Sequence, residues 1–262
     1  MSTTPQRRPS FALTVISTKQ ISPNFQRIQL QGESIAHFEK DCIGGYIKLQ
    51  FTPEGSADLS TLAQEARPSL RTYTIRDFDK DNHILTLDFV RHEINDPCCG
   101  FAARWALECQ VGDIIQIAGP GKSPGINPAG DWFFLVADMT ALPALSAQLL
   151  TLPSDAQGYA IVEITDAEDA QTLALPAGIE VIWHVADEGT SLVDAVQALE
   201  WRSGQCAVWC ACEFESMRAL RQYFRNEHNI DREFIYISSY WKRGVTEEGH
   251  KVIKRKDNDT QV

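Results

Sequence analysis

The chain has 262 residues, which is enough for one large domain or two domains of ordinary size. Hydrophobic residues make up 44% and charged residues 23%, as in a folded soluble protein, and no apolar stretch approaches the roughly 20 residues that span a bilayer. The formal net charge of −11, from 24 basic and 35 acidic residues, argues against a protein that binds nucleic acid.

Residues 1–10 are polar and contain no apolar segment of the kind that a secretory signal needs, so we expect a cytoplasmic protein without stable membrane insertion. Six short runs follow, each rich in β-branched, aromatic or alternating apolar residues and bounded by turn-forming residues. They cover residues 11–16, 25–30, 46–51, 71–76, 84–90 and 113–118. The pattern predicts a six-stranded antiparallel barrel, interrupted by one helix at residues 102–108.

A segment dense in glycine and proline, residues 119–130, is the best candidate for a domain boundary. Beyond it, apolar runs alternate with helical segments. Strands are expected at 132–137, 159–164, 180–185 and 206–211, and helices at 142–150, 191–199 and 213–227. Such alternation predicts a parallel α/β domain. We therefore expect two domains, residues 1–126 and 127–262.

The seven cysteines are odd in number and unevenly placed, unlike the disulfide framework of a secreted protein. Cys206, Cys210 and Cys212 fall at even separations, which on a strand places them on one face. We interpret them as reduced core thiols. A metal site is not predicted, because the short C-x-x-C spacing is missing.

Residues 242–256 form a basic tail, with six basic residues against two acidic ones. A solvated polar helix or a frayed terminus accounts for this composition. A segment that attracts a small anion to an otherwise acidic protein accounts for it equally well, and charge alone does not decide between them.

The segment Arg71-Thr-Tyr-Thr-Ile-Arg76 carries the most chemical information. On a strand, Arg71 and Tyr73 project to one side, where a guanidinium can fork onto phosphate oxygens and a phenol ring can lie along an aromatic ligand. Thr74 adds a hydroxyl within the same segment. An ordinary surface strand with cross-strand pairs is the alternative.

In the form R-x-Y-[ST]-x-R, this segment resembles the flavin motif of the siderophore-interacting proteins, which are ferric-siderophore reductases of the ferredoxin–NADP reductase superfamily. Further similar segments follow in the family's order at residues 88–92, 100–106, 112–121, 131–144, 209–213 and 238–248. The resemblance runs from about residue 11 to residue 248. It implies an FAD-binding barrel followed by an α/β domain that binds NADH or NADPH.

The resemblance also implies which residues bind each cofactor. The residues implied for FAD are Arg71, Tyr73, Thr74, Arg76, Asp88, Val90, His92, Phe101, Ala102, Ala103, Thr140, Tyr240 and Trp241. Those implied for the nicotinamide are Thr140, Pro143, Glu213 and Arg218. In the family, backbone N–H groups at the start of a helix near Phe101 receive the pyrophosphate. For His92 an ordinary structural role is the alternative, because one histidine marks no site.

Four positions depart from the family pattern. Ala137 and Cys212 stand where the family often has glycine, Met139 where an acid is common, and Ser239 where glycine is usual. Side chains at Ala137 and Cys212 narrow the space for a dinucleotide backbone. The choice between NADH and NADPH therefore stays open.

The function implied is transfer of electrons from NADH or NADPH, or from a reduced carrier, through FAD to chelated Fe(III) during iron uptake. No side chain is expected to act in catalysis itself, since the flavin carries the redox chemistry. Basic residues implied near the flavin, Lys48, Lys122, Lys242 and Arg243, would hold an anionic ferric siderophore. Each alone is equally an ordinary surface charge. A flavin reductase serving a protein such as ferredoxin, or a non-enzymatic ferric-chelate-binding protein, is the alternative, and we expect a monomer.

Overall fold

The computed structural model describes residues 9–63, 66–91, 100–186 and 189–259. The chain divides into two compact units. The first comprises Met1–Ile21 and Phe25–Ser123, and the second comprises Ser22–Asn24 and Pro124–Val262. Among the described residues, no helix is long and apolar enough to cross a membrane.

The first unit is built on one antiparallel sheet. Its elements are β1 (Phe11–Ser22), β2 (Phe25–Gln31), β3 (Tyr46–Phe51), β4 (Ser69–Thr74), β5 (Asp77–Asp79), β6 (Ile84–Val90), α1 (Phe101–Glu108) and β7 (Ile114–Gly121). The strand order is β4-β3-β7-β1-β2-β6-β5. The six predicted strands and the helix are confirmed, and β5 is a seventh strand. It escaped the sequence patterns because it is three residues long and buries only Phe78.

The sheet rolls into a barrel-like form because of how its two ends are joined. Strands β4 and β5 stand at opposite ends of the order, yet only Ile75 and Arg76 separate them in the chain. The Arg76 N–H donates to the Thr86 carbonyl oxygen on β6 (2.9 Å), which brings the two ends together. Apolar side chains such as Leu49 and Leu87 fill the interior and are fully buried.

The second unit is a parallel sheet with helices. Its elements are β8 (Trp132–Asp138), α2 (Leu142–Thr151), β9 (Gln157–Ile164), β10 (Gly178–Val185), α3 (Leu192–Gln197), β11 (Cys206–Glu213), α4 (Phe214–Gln222), β12 (Ile235–Trp241) and α5 (Glu247–Asp259). The strand order is β10-β9-β8-β11-β12, with every pair parallel. The parallel α/β prediction is confirmed, and β12 is an additional strand.

This strand order indicates where a ligand is expected to bind. The chain runs outward from β8 through β9 to β10, and then crosses back to β11 beside β8. Such a reversal leaves a crevice outside the carboxyl ends of the two neighbouring strands, and ligands of open α/β sheets bind there. All seven residues of β8 are buried, as its continuous apolar run predicts.

The predicted core cysteines lie on β11. Cys206, Cys210 and Cys212 are buried free thiols, and the sulfur atoms of Cys210 and Cys212 are 4.0 Å apart. A hydrogen bond to Cys210, together with burial, raises the pKa of the Cys212 thiol well above its usual range. Cys98 and Cys99 lie outside the described residues.

The basic tail forms α5, which folds back onto β12. The Lys254 ammonium donates to the Ser238 hydroxyl (2.6 Å) and to the Ser239 carbonyl oxygen (2.8 Å). His250 Nε2 and the Ser239 hydroxyl form a buried hydrogen bond of 2.8 Å. Burial lowers the pKa of Lys254. The tail is therefore an integral part of the second unit rather than a frayed terminus.

Candidate functional site

In the first unit, the predicted flavin strand is β4, and its side chains lie against aromatic rings. The guanidinium carbon of Arg71 lies 5.0 Å from the centroid of the Phe101 ring. The Tyr73 ring packs on Phe89 of β6, with centroids 4.2 Å apart. Both Arg71 and Tyr73 are partly buried. Together with the ring contacts, this burial restricts how far either side chain can move away from the surface beside β4.

The N-terminus of α1 lies beside Arg71, because Phe101 is the first residue of that helix. The N-cap residue is Gly100, which has no side chain, and the first turn contains no acidic residue. A Cβ atom built on Gly100 would meet no heavy atom of the described residues within 4 Å, so none of them crowds this position. Helix N–H groups next to a guanidinium form a donor set for an anion, and this set fits the pyrophosphate of FAD.

Asp88 is buried on β6 and holds two arginines. Its carboxylate accepts two hydrogen bonds from Arg27, both 2.7 Å long, and its Oδ2 lies 3.8 Å from Nε of Arg76. The hydrogen bonds to Asp88 raise the pKa of Arg27. We expect Asp88 to orient Arg76 rather than to face a ligand itself.

The remaining residues implied for FAD in this unit lie at the ends of its helix and strands or outside the described residues. Ala102 and Ala103 are buried in the first turn of α1. Thr74 ends β4 and Val90 ends β6, and both are partly buried. His92 lies outside the described residues.

In the second unit, Asp138 organises the turn after β8. Its Oδ1 accepts hydrogen bonds from the Thr140 N–H (2.9 Å), the Thr140 hydroxyl (2.6 Å) and the Ala141 N–H (3.3 Å). Its Oδ2 accepts from Nε1 of Trp241 (2.7 Å). Burial raises the pKa of Asp138. This one carboxylate therefore ties the turn at the switch point to the end of β12.

Sequence reasoning did not single out Asp138. A signal was present, because an acidic residue closes an otherwise apolar run at the carboxyl end of β8. Thr140, which was predicted, lies in the same turn, and Pro143 is buried in the first turn of α2. Tyr240 and Trp241 lie partly buried at the end of β12, where the Asp138 contact holds the Trp241 indole.

Glu213 ends β11 and caps α4. Its Oε2 accepts from the N–H groups of Glu215 (2.5 Å) and Ser216 (3.3 Å), and its Oε1 accepts from the Arg243 N–H (3.1 Å). Glu213 thus lies on the strand next to the Asp138 turn, while Arg218 lies further along α4. The guanidinium of Arg218 is 3.4 Å from Asp257.

Each of the predicted chelate-binding lysines lies near an aromatic ring or a carboxylate. Lys122 pairs with Asp41 at 2.7 Å on the exposed surface of the first unit. Lys48 lies on β3, with its ammonium 5.8 Å from the Tyr46 ring centroid. In the second unit, the Lys242 ammonium pairs with Glu215 and lies 4.5 Å from the Phe214 ring centroid, and the neighbouring Arg243 is exposed. The carboxylates at Lys122 and Lys242 reduce the positive field of these two lysines.

Comparison with known families decides what this arrangement is. Residues 14–124 match the siderophore-interacting FAD-binding domain, and residues 130–244 match the siderophore-interacting protein family. The chain belongs to the siderophore-interacting protein family. Its first unit accordingly contains the FAD-binding domain of that family, and the predicted family, fold and FAD cofactor are confirmed.

Individual members of the family cover nearly the whole chain. Ferric vibriobactin reductase of Vibrio cholerae is 34% identical over 252 residues, which is 91% of each chain. The NADPH-dependent ferric-chelate reductase of Escherichia coli is 30% identical, over 87% of this chain and 91% of that protein. The crystal structure of a siderophore-interacting protein from Aeromonas hydrophila, 31% identical, superimposes with a TM-score of 0.83 and covers 96% of this chain and 99% of that one.

Proposed function

We propose that this protein is an FAD-dependent ferric-siderophore reductase, which takes electrons from NADH or NADPH and delivers them to siderophore-bound Fe(III). The observation that carries the proposal is the Arg71 guanidinium against Phe101, the first residue of α1, inside the FAD-binding domain of this family. Relatives named ferric vibriobactin reductase and ferric-chelate reductase support the same reaction.

Bound FAD supplies the redox chemistry, since a flavin accepts a hydride and passes electrons on singly. The protein's own residues bind and orient. Arg71 and the first N–H groups of α1 hold the pyrophosphate of FAD. Tyr73, one residue before Thr74, presents its ring to the flavin. Asp88 keeps the Arg76 guanidinium in place. Arg71, Tyr73 and Thr74 all lie on β4, so the backbone of this strand sets the distances between them.

The second unit positions the nicotinamide. Thr140 and Pro143 lie at the switch point, with the Thr140 hydroxyl oriented by Asp138. Glu213 caps α4 on the neighbouring strand, and Trp241 closes the same edge of the sheet. Crevices at switch points are where nucleotides bind in such sheets.

Reduction releases the iron because hard oxygen ligands hold the more highly charged Fe(III) more tightly than Fe(II). We expect a cytoplasmic protein, since the five cysteines that the structure describes are free thiols suited to a reducing compartment. A monomer is the oligomeric state to test. Ferredoxin is a further donor to test.

The proposed function predicts a yellow purified protein. Under anaerobic conditions NADH or NADPH should bleach the flavin absorbance, and a ferric siderophore should restore it while a ferrous-specific chelator turns coloured. A protein that binds the ferric siderophore but retains no flavin would be a carrier, which contradicts the proposal. If ferredoxin reduces the flavin and neither nucleotide does, ferredoxin replaces NADH or NADPH as the donor. The proposed reduction of Fe(III) then stands.

The basic residues make a further prediction about the substrate. Changing Lys48, Lys122 and Lys242 together to glutamine should raise KM for an anionic ferric chelate several-fold at low salt, because exposed charges act modestly and are screened. KM for a neutral chelate and the flavin content should stay unchanged. The exposed Lys19, Lys40 and Lys256, changed together to glutamine, provide a control of equal charge. An unchanged KM for the anionic chelate would show that none of the three lysines takes part in binding it.

A further inference from the structure

Charge is divided unevenly along the second unit. From residue 123 to residue 201 the sequence contains no lysine or arginine, although it contains 12 aspartates and glutamates. From residue 202 to the C-terminus it contains 11 lysines and arginines and nine acidic residues. In the structure, the first stretch forms β8, β9, β10 and their helices, while the second forms β11, β12, α4 and α5. One half of the sheet is therefore built without a lysine or an arginine.

This half of the sheet includes the edge where the adenosine end of a nucleotide is expected to lie. In doubly wound sheets the pyrophosphate lies at the first turn, and the adenosine ribose lies beyond the end of the next strand. Here the first turn follows β8, and the next strand is β9, which pairs with β8 and ends at Ile164. At that position a carboxylate accepts a hydrogen bond from the ribose 2′-hydroxyl of NADH, whereas an arginine accommodates the 2′-phosphate of NADPH.

The segment after β9 is acidic and ordered by its own side chains. It consists of Thr165, Asp166 and a short 3₁₀ turn, Ala167–Asp169. The Asp166 carboxylate accepts from the Glu168 N–H (2.8 Å), which fixes the turn, and both Asp166 and Glu168 are exposed. The ribose position thus presents carboxylates on a structured turn.

Among the described residues, the arginine that acts on this edge already faces carboxylates. Burial raises the pKa of Glu163, near the end of β9, and the charge of Asp138 raises it further. Arg243 and His184 act in the opposite direction on Glu163. Arg243 lies in the segment after β12. Its positive charge is offset by the carboxylates that are already present at this edge. A 2′-phosphate would add negative charge to an acidic edge.

We infer that this protein uses NADH in preference to NADPH, and that the turn carrying Asp166 and Glu168 determines the preference. The inference rests on the proposed function, because it concerns the donor of that reaction. Carboxylates of the turn accept a hydrogen bond from the ribose 2′-hydroxyl of NADH. The same carboxylates repel the 2′-phosphate of NADPH. The E. coli relative, by contrast, is named as NADPH-dependent.

The test measures binding of NAD⁺ and NADP⁺ to the purified flavoprotein by calorimetry, which requires no turnover. NAD⁺ should bind at least about tenfold more tightly at low salt, and the difference should narrow as salt rises. Ala167→Arg combined with Glu168→Lys adds cations to the turn and leaves the Asp166 carboxylate in place. This variant should bind NADP⁺ about tenfold more tightly than the parent, with NAD⁺ affected little.

Ala177→Arg combined with Glu180→Lys is the matched control. It makes the same change of charge at exposed positions beside the amino end of β10, the opposite end of the sheet. The control should leave the preference unchanged. Equal affinity of the parent for both nucleotides at low salt would overturn the inference, and so would equal shifts in the two double variants.

The donor preference and the reductase reaction can fail separately. If neither nucleotide binds, but light-reduced flavin is reoxidised by a ferric siderophore, the inference is wrong and the iron reaction stands. If NAD⁺ binds preferentially, but reduced flavin does not reduce the ferric siderophore, the inference stands and the proposed function is wrong.

Discussion

Replacing Arg71 by alanine is expected to strip FAD from the protein, with affinity falling about ten- to hundredfold. The guanidinium lies beside the N-terminus of α1, where it contributes a charged donor to the pyrophosphate. A hydrogen bond to a charged group contributes about 1.5–3 kcal/mol, which corresponds to this loss. The measurement is the ratio of flavin to protein after dialysis, followed by titration of FAD into the apoprotein.

Two variants separate loss of this contact from loss of folding. Arg71→Lys keeps the charge but not the planar fork, and it should bind FAD with intermediate affinity. Lys80→Ala removes a half-buried cation of the same unit that pairs with Glu39, and it should retain FAD fully. An Arg71→Ala protein with native circular dichroism and parental FAD affinity would disprove the assignment.

Asp138→Asn is expected to slow flavin reduction by the nicotinamide about ten- to hundredfold while leaving FAD bound. All four groups that contact the carboxylate are donors, so an amide must turn its NH₂ towards one of them. A buried donor left without an acceptor costs about 1–3 kcal/mol. The turn that carries Thr140 should loosen as a result. Stopped-flow measurement of flavin bleaching reports the rate.

The same variant should also change the surroundings of Trp241, which can be followed by tryptophan fluorescence and near-UV circular dichroism. Trp241→Phe is the matched control, because it removes one donor and leaves the three contacts to Thr140 and Ala141. Its flavin reduction should be slowed less than that of Asp138→Asn. If Asp138→Asn reduces flavin at the parental rate, the carboxylate has no part in positioning the nicotinamide.

Most of the fold could be predicted because local patterns carry it. The strand that bears Arg71 alternates residues, with an arginine and a tyrosine on one side, and β8 is a single apolar run that becomes fully buried. These patterns depend on the period of a strand and on burial, both of which are written into neighbouring residues. The short β5 lacked enough residues to show a period.

The contacts within the candidate site were harder to predict, because they join distant parts of the chain. Asp138 and Trp241 are 103 residues apart in sequence, and only the parallel order of β8, β11 and β12 brings them together. Likewise, the sequence shows that Lys122 and Lys242 are basic. It does not show that they form ion pairs with Asp41 and Glu215. Partner choice across a fold depends on topology rather than on local sequence.

The hydrogen bonds of Lys254 bear on how the protein behaves at high concentration. Strand β12 is the last of the five strands that the structure describes in this sheet, and an outermost strand can pair with a strand from another molecule. Lys254 donates to the Ser239 carbonyl oxygen on this strand, and α5 packs against it. An incoming chain would have to displace a charged amine from the row of backbone acceptors. We therefore expect the C-terminal helix to hinder edge-to-edge pairing with another molecule at β12.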